Sequence, residues 1–316
     1  MKNLSHNKIL VTGNRGFFGT NFEQCIEREY PEIDLYGFDL KHAQDCRSYD
    51  QIEEAVKGKL AVFHFAAFTH TDTSIRYPEL FLEGNIKGTL NILKACTKYK
   101  TKLIYISSSE VYGTLKEGWE KESENHPFNP ASPYATSKAS CDLMCQNWHK
   151  VYGTDVVIVR PFNGYGFYQD RRKVISKYIE WIEKGLPLQI YGTGSQRRDW
   201  TFAQDIVEGI WKTYQLPGGE IINLCSGKNY SILEVINLLR RITNKNNEIE
   251  FVDSRYGEVQ NMIGDNSKAK RLLDWEPKID LEEGLTKTYN WLKVNKPIAY
   301  LGGEPKTLRF ISNEGA

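Results

Sequence analysis

Lys8-Ile9-Leu10-Val11-Thr12-Gly13-Asn14-Arg15-Gly16-Phe17-Phe18-Gly19 is the stretch on which the fold turns. A short β-rich apolar run ends in glycines set three apart, and a helical pattern begins at Phe17. Glycines at such a junction let the backbone approach a pyrophosphate at a helix N-terminus, where free amides and the helix dipole favour an anion. Glycine spacing alone is a weak signal; its place at the first strand-to-helix junction of an alternating chain gives it weight. Working outward, apolar runs at 8–12, 33–38, 61–65, 102–106 and 156–159 read as buried strands. Helical patterns at 17–29, about 51–57, about 79–99 and 134–152 lie between them. This alternation predicts an α/β fold, a doubly wound parallel Rossmann sheet.

After Arg160 the alternation loosens. Residues 163–172 are rich in Gly, Tyr and charge, 173–184 read as a helix, and 190–202 as a loop dense in Gly and Arg. A helix at 206–214 is expected to return to the sheet, while 232–243 and 267–273 build a smaller, interleaved C-terminal substrate-binding lobe. The expected division is 1–165 for the nucleotide domain, with about 203–222 returning to it, and 166–316 for the lobe; from about Pro297 the chain reads as an irregular tail.

Length and composition set the frame. The chain has 316 residues, 40% hydrophobic and 12% aromatic, enough for a real core. A net charge of +1, with both signs dispersed, offers no basic stripe for nucleic acid and no polybasic membrane patch. No apolar run reaches the length of a membrane span or a signal-peptide core, so the expected location is the cytoplasm. Six cysteines are scattered without the spacing of a zinc site or a disulfide scaffold. Cys141, Cys145 and His149 share a face of one predicted helix, but three side chains on a buried face lack a fourth ligand, and packing is the better reading. No metal is expected.

Asp39, at the end of the second predicted strand, follows Gly19 by twenty residues. A carboxylate there accepts hydrogen bonds from an adenosine ribose and repels a 2′-phosphate, which favours NAD over NADP. Asp45 is a second candidate, for the adenine. Ser132 and Pro133 form an N-cap and first-turn pair for the helix that carries Tyr134 and Lys138, one turn apart on one face. A phenol near an ammonium and an oxidised nicotinamide ionises more easily and can take a proton from a sugar hydroxyl, which Ser108 would also hold. Glu110 is not required for simple alcohol oxidation, but a second proton abstraction requires such a base.

These residues resemble the extended short-chain dehydrogenase/reductase family over nearly the whole chain. The glycine loop Thr12 to Gly19, with Gly13, Arg15, Gly16, Phe17 and Gly19, resembles its cofactor loop, Tyr134 with Lys138 its YxxxK pair, and Ser108 its catalytic Ser/Thr. The stretches 66–75, 132–142 and 190–200 are similar to the dTDP-glucose 4,6-dehydratase branch. The resemblance implies that Ala66 lies by the cofactor and His70 by the substrate. It implies that Asn163, Lys173, Arg198 and Arg255 face the substrate's nucleotide diphosphate, and that the protein is a homodimer packed through helices. The helix face with Cys141, Leu143, Met144 and Trp148 is the apolar surface expected to serve that packing. One departure stands out: Ser109 occupies the place where the dTDP-glucose enzymes carry Asp, nearer the Thr-Ser-Glu of GDP-mannose dehydratases and UDP-glucuronate decarboxylases.

The activity so implied is a 4,6-dehydration. Tyr134 takes the 4-hydroxyl proton as hydride leaves C4 for NAD, the ketone acidifies C5, Glu110 removes that proton, water leaves C6, and hydride returns to C6. The proton for the departing hydroxyl comes from a Ser109-held water or from Glu110. UDP-N-acetylglucosamine and dTDP-glucose rank ahead of GDP-mannose and UDP-glucose as substrates. A 4-epimerase, which needs no base at C5, and a UDP-glucuronate decarboxylase, with Arg171, Arg172 or Arg197 meeting the carboxylate, are the enzymatic alternatives. A catalytically silent protein that binds NAD or sugar nucleotides is the non-enzymatic one.

Overall fold

The computed structural model describes residues 8–254 and 257–295. In chain order they run β1 (Lys8–Thr12), α1 (Phe17–Glu29), β2 (Asp34–Phe38), α2 (Tyr49–Val56), β3 (Ala61–His64), α3 (Thr71–Arg76), α4 (Pro78–Phe81), α5 (Gly88–Tyr99) and β4 (Lys102–Ile106). Next come α6 (Pro133–Tyr152), β5 (Val156–Pro161), β6 (Asn163–Tyr165), α7 (Val174–Glu183), β7 (Leu188–Tyr191), β8 (Arg197–Phe202) and α8 (Ala203–Lys212). The last are β9 (Ile221–Leu224), β10 (Asn229–Ser231), α9 (Ile232–Thr243), β11 (Ile249–Val252), α10 (Ser267–Leu273) and α11 (Leu281–Val294).

Six strands form one parallel sheet in the order β2-β1-β3-β4-β5-β9. Both of its faces are covered, which is why β3 and β5 are buried at every position. On one face α1, α8 and α10 bury Phe22, Ile26, Ile206, Ile210, Leu273 and Trp275; on the other α2, α5 and α6 bury Ile52, Ile92, Leu93, Cys141 and Cys145. Strand order reverses between β1 and β3, and in such sheets ligands bind outside the carboxyl ends of the strands at that switch point.

The remaining strands make a three-stranded sheet, β10-β8-β6, and a pair, β11-β7, which with α7, α9 and α11 enclose a second core around Tyr178, Ile190, Trp200, Phe202 and Leu239. Part of this region departs from the expected loop at 190–202. Residues 188–191 and 197–202 are strands, because Ile190, Trp200 and Phe202 bury in that core while the flanking arginines find carboxylate partners. Ser267–Leu273, expected in the smaller lobe, instead packs with β9 and α8: Ala269, Leu273 and Trp275 join the core under the large sheet, and the Trp275 indole donates to the Asp205 carbonyl at 2.9 Å. Within the expected helix at 79–99, Leu82–Lys87 is π-helical, where the Asn85 amide accepts from Phe68 N–H at 2.8 Å and donates to Ser137 Oγ at 2.9 Å. Among the described residues no helix is long and apolar enough to cross a membrane.

Candidate functional site

The glycine loop closes against the turn that follows β3. Gly13 has φ +71°, and a Cβ on it would lie 2.6 Å from the Ala66 nitrogen; a Cβ on Gly19 would lie 2.2 Å from the Gly13 carbonyl oxygen. Only glycine allows both approaches. Gly16 is the N-cap of α1 and no side chain caps that helix end, so its first amides are presented at the sheet's switch point, with Phe17 in the first turn. Asp39 orders the neighbouring edge: its carboxylate accepts from Arg15 N–H at 3.0 Å and from Lys41 N–H at 2.9 Å. Asp45, by contrast, is held by a bidentate bond from Arg47, with contacts of 2.6 to 3.0 Å. A tight glycine cradle, an uncapped helix start and an acid at the end of β2 fit a dinucleotide.

The candidate residues converge from the end of β4 and the start of α6. Ser132 Oγ accepts from Ala135 N–H at 3.1 Å and Pro133 opens the first turn, so α6 begins immediately before Tyr134. Past β4 the chain makes a short turn at Ser109–Val111, capped by Ser108, whose Oγ accepts from Glu110 N–H at 3.2 Å. Ser108 and Glu110 both lie close enough to act on the Tyr134 phenol, the one through its hydroxyl and the other through its charge. Lys138 is buried one turn beyond Tyr134; its ammonium donates to the Ile106 carbonyl at 2.5 Å and sits over the Tyr105 ring, 4.6 Å from the centroid.

Burial shifts both members of the pair toward their neutral forms. Burial pushes the Tyr134 phenol above its ordinary range; the Ser108 hydroxyl opposes this and the Glu110 charge adds to it. Desolvation lowers Lys138 itself to about 8, with Cys141, Cys145 and Asp142 pulling the other way.

Lys173, distant in sequence, comes near enough to Glu110 for their charges to interact. Lys173, whose ammonium donates to the Thr69 carbonyl at 3.1 Å, is lowered by burial and raised by Glu110 and Asp170. His70 caps α3 and is lowered to about 4 by burial and by the charges of Lys173 and Arg172, so it is neutral at pH 7. Asn163, on β6, has a buried Oδ1 without a hydrogen-bond partner. Arg198 pairs with Glu258 at 2.8 Å. Arg255 lies outside the described residues.

Ser109 is only 2% exposed, whereas the Glu110 side chain is half-buried. The apolar helix face is narrower than expected: Cys141 is buried in the core, Met144 and Trp148 pack against it, and Leu143 is 55% exposed. The three candidate metal ligands are likewise in structural use, Cys141 and Cys145 in the core and His149 Nδ1 bonded to the Thr154 carbonyl at 2.9 Å.

One residue of this neighbourhood carried no sequence signal. Glu122, in a polar segment that reads as a solvated loop, is 0% exposed, and neither carboxyl oxygen has a hydrogen-bond partner. Burial pushes its carboxyl up to about 9, with the charges of Asp199 and Glu110 adding to the shift and Arg198 opposing it.

Comparisons with known proteins converge on one family. The model described as GDP-mannose 4,6 dehydratase matches residues 31–288. A UDP-glucuronate 4-epimerase of Thermodesulfobacterium geofontis is 37% identical, over 90% of this chain and 96% of the relative. A dTDP-glucose 4,6-dehydratase of Mycolicibacterium smegmatis is 32% identical, over 92% and 94%. Among solved structures, DesIV, a dTDP-glucose 4,6-dehydratase from Streptomyces venezuelae with NAD and TYD bound, superposes with a TM-score of 0.85 at 29% identity, covering 91% of this chain and 97% of that one.

Proposed function

Because the chain belongs to the GDP-mannose 4,6-dehydratase family of extended short-chain dehydrogenase/reductases, we propose that it is an NAD-dependent 4,6-dehydratase of a nucleotide-diphosphate hexose. The observation that carries this reading is Glu110, a carboxylate one short turn beyond Ser108 and near enough to Tyr134 to act on its phenol. Oxidation at C4 needs only Tyr134, Ser108 and Lys138; a base set beside them serves abstraction at C5.

The glycine loop, Ala66 and Asp39 would hold NAD, which would supply the hydride acceptor for C4 and the hydride donor for C6. Tyr134 accepts the 4-hydroxyl proton and Ser108 orients that hydroxyl. Lys138 places a positive charge beneath the reacting edge. Glu110 takes the C5 proton and passes it to the departing C6 hydroxyl, so that water leaves; once C6 carries its hydride, C5 takes up one proton, balanced by the one Tyr134 gives back, and both side chains are restored. We assign that transfer to Glu110 because its half-buried carboxylate is more open than Ser109, which is 2% exposed. His70, Asn163, Lys173 and Arg198 line the substrate side. The region from residue 166, apart from 203–224 and 267–275, which pack with the large sheet, forms the sugar-nucleotide lobe in this reading, and a second copy packs on α6 around Leu143.

Two further observations bear on the substrate. The arginines that could meet a uronate carboxylate already hold one: Arg171 pairs with Glu180 at 2.7 Å, Arg172 with Asp170 at 2.6 Å and Arg197 with Glu234 at 3.0 Å. This favours a neutral C6 hydroxymethyl, and UDP-N-acetylglucosamine and dTDP-glucose are the substrates we place first. The 37% identity to a 4-epimerase supports a second reading, in which the 4-ketone is reduced on its other face. Incubation with a panel of sugar nucleotides followed by mass spectrometry decides: loss of water is expected, unchanged mass with inverted C4 establishes the epimerase, and loss of carbon dioxide establishes a decarboxylase.

A further inference from the structure

Ser108 and Glu110 follow β4, whereas Tyr134 and Lys138 stand on α6, so their mutual placement depends on whatever locks these two pieces of chain together. Beneath them lies a buried polar network centred on Asp142, one turn beyond Lys138 on α6. Asp142 is 0% exposed and accepts four hydrogen bonds: from Ser107 Oγ at 2.7 Å, and from Arg160 Nε, Arg160 Nη2 and Gln146 Nε2 at 2.8 Å each. Arg160, on β5 and 1% exposed, turns Nη1 to the Tyr112 hydroxyl at 2.8 Å and the Glu124 carbonyl at 2.9 Å. Tyr112 in turn donates to Asn223 Oδ1, on β9, at 2.8 Å. The network has two arms. One reaches Ser107, immediately before Ser108; the other reaches Tyr112, two residues past Glu110.

We propose that Tyr112 is a positioning residue for Glu110, fastened through Arg160 and Asp142 to the helix that carries Tyr134 and Lys138. A phenol 0% exposed yet bonded on both sides of its oxygen fixes the end of the short turn that begins at Ser108. The angle at which Glu110 meets the sugar follows from that turn. Ser108 is set by the other arm, through Ser107, so the two chemical steps depend on different parts of one network. Low dielectric strengthens such a network when every member is satisfied, and the geometry it fixes matters because a displacement of about 1 Å can cost about 100-fold in rate.

The inference rests on the dehydratase reading, and its test separates the two. Tyr112→Phe keeps the ring in its packing with Phe128 and Phe162 while removing the hydroxyl. On addition of sugar nucleotide, bound NADH should form at a rate within about twofold of wild type, while water loss slows on the order of tenfold, so NADH accumulates. Ser107→Ala should show the opposite imbalance, a slowed hydride step. A merely structural role lowers the melting temperature and the amount of active enzyme but not the ratio of the two rates. Equal slowing of both steps, or undiminished water loss, overturns the proposal. If Tyr112→Phe does not fold, Asn223→Ser releases the same hydroxyl from its other partner and must give the same imbalance. If the wild-type enzyme releases no water from any sugar nucleotide, the dehydratase reading itself has failed.

Discussion

Two neighbours act on the Tyr134 phenol in opposite directions: Ser108, through its hydroxyl, toward ionisation, and Glu110, by its charge, away from it. Burial outweighs the first, so in the proposed mechanism proton transfer to Tyr134 relies on cationic charge arriving with the cofactor. Substitution should separate the two bases. Tyr134→Phe is expected to slow the appearance of bound NADH by at least about 100-fold, the usual span of a lost general base. Glu110→Gln should still form NADH but release no water, seen as a persistent nicotinamide absorbance with unshifted sugar mass. Water release from Glu110→Gln at the wild-type rate removes Glu110 from the mechanism. Both residues were legible in the sequence because a helix spacing and a strand end place them without knowledge of the rest of the chain. Glu122 was not. Its burial follows from backbone contacts made elsewhere: its N–H donates to the Ile263 carbonyl at 2.9 Å and its carbonyl accepts from Asn223 Nδ2 at 2.9 Å.

At the scale of elements, that segment has a measurable consequence. Glu122 is tied to Gly264 by an isolated parallel bridge, which carries the carboxyl into the interior between Asp199, Glu110 and Arg198. With a folded value near 9 against an ordinary 4.5, the folded state keeps a proton that the unfolded chain gives up as pH rises. The contribution is fully present below about pH 4.5 and is lost progressively as pH rises through about 9. Glu122→Gln, which is neutral throughout, should therefore lose less stability than wild type between about pH 6 and pH 9, read from urea midpoints at the two ends. Parallel pH slopes would show that the carboxyl is already ionised in the fold. The strands and helices of the large sheet were readable because each carries its own apolar period and turn residues. β7 and β8 were not, since the charged and glycine-rich run between Leu188 and Phe202 resembles a loop until Ile190, Trp200 and Phe202 find a common core.

For the whole molecule, the proposed dimer makes the boldest demand. α6 presents Leu143 at 55% exposure and, toward its end, Val151 at 61% and Tyr152 at 56%. Leu143→Glu should shift the protein from dimer toward monomer by light scattering, leaving the fold intact because the position is exposed. An unchanged mass places the second copy elsewhere or removes it. Local sequence was enough for the sheet, the glycine cradle and the placement of the candidate set Ser108, Glu110, Tyr134 and Lys138, because period, turn chemistry and helix spacing act over a few residues. Tertiary structure alone decided that α10 supports the large sheet, that Lys138 turns to Ile106, that Glu122 is buried with its carboxyl pushed up, and that Asp142, Arg160, Tyr112 and Asn223 form one network. Each of these joins residues far apart in the chain, and burial and charge depend on what the completed fold brings alongside them.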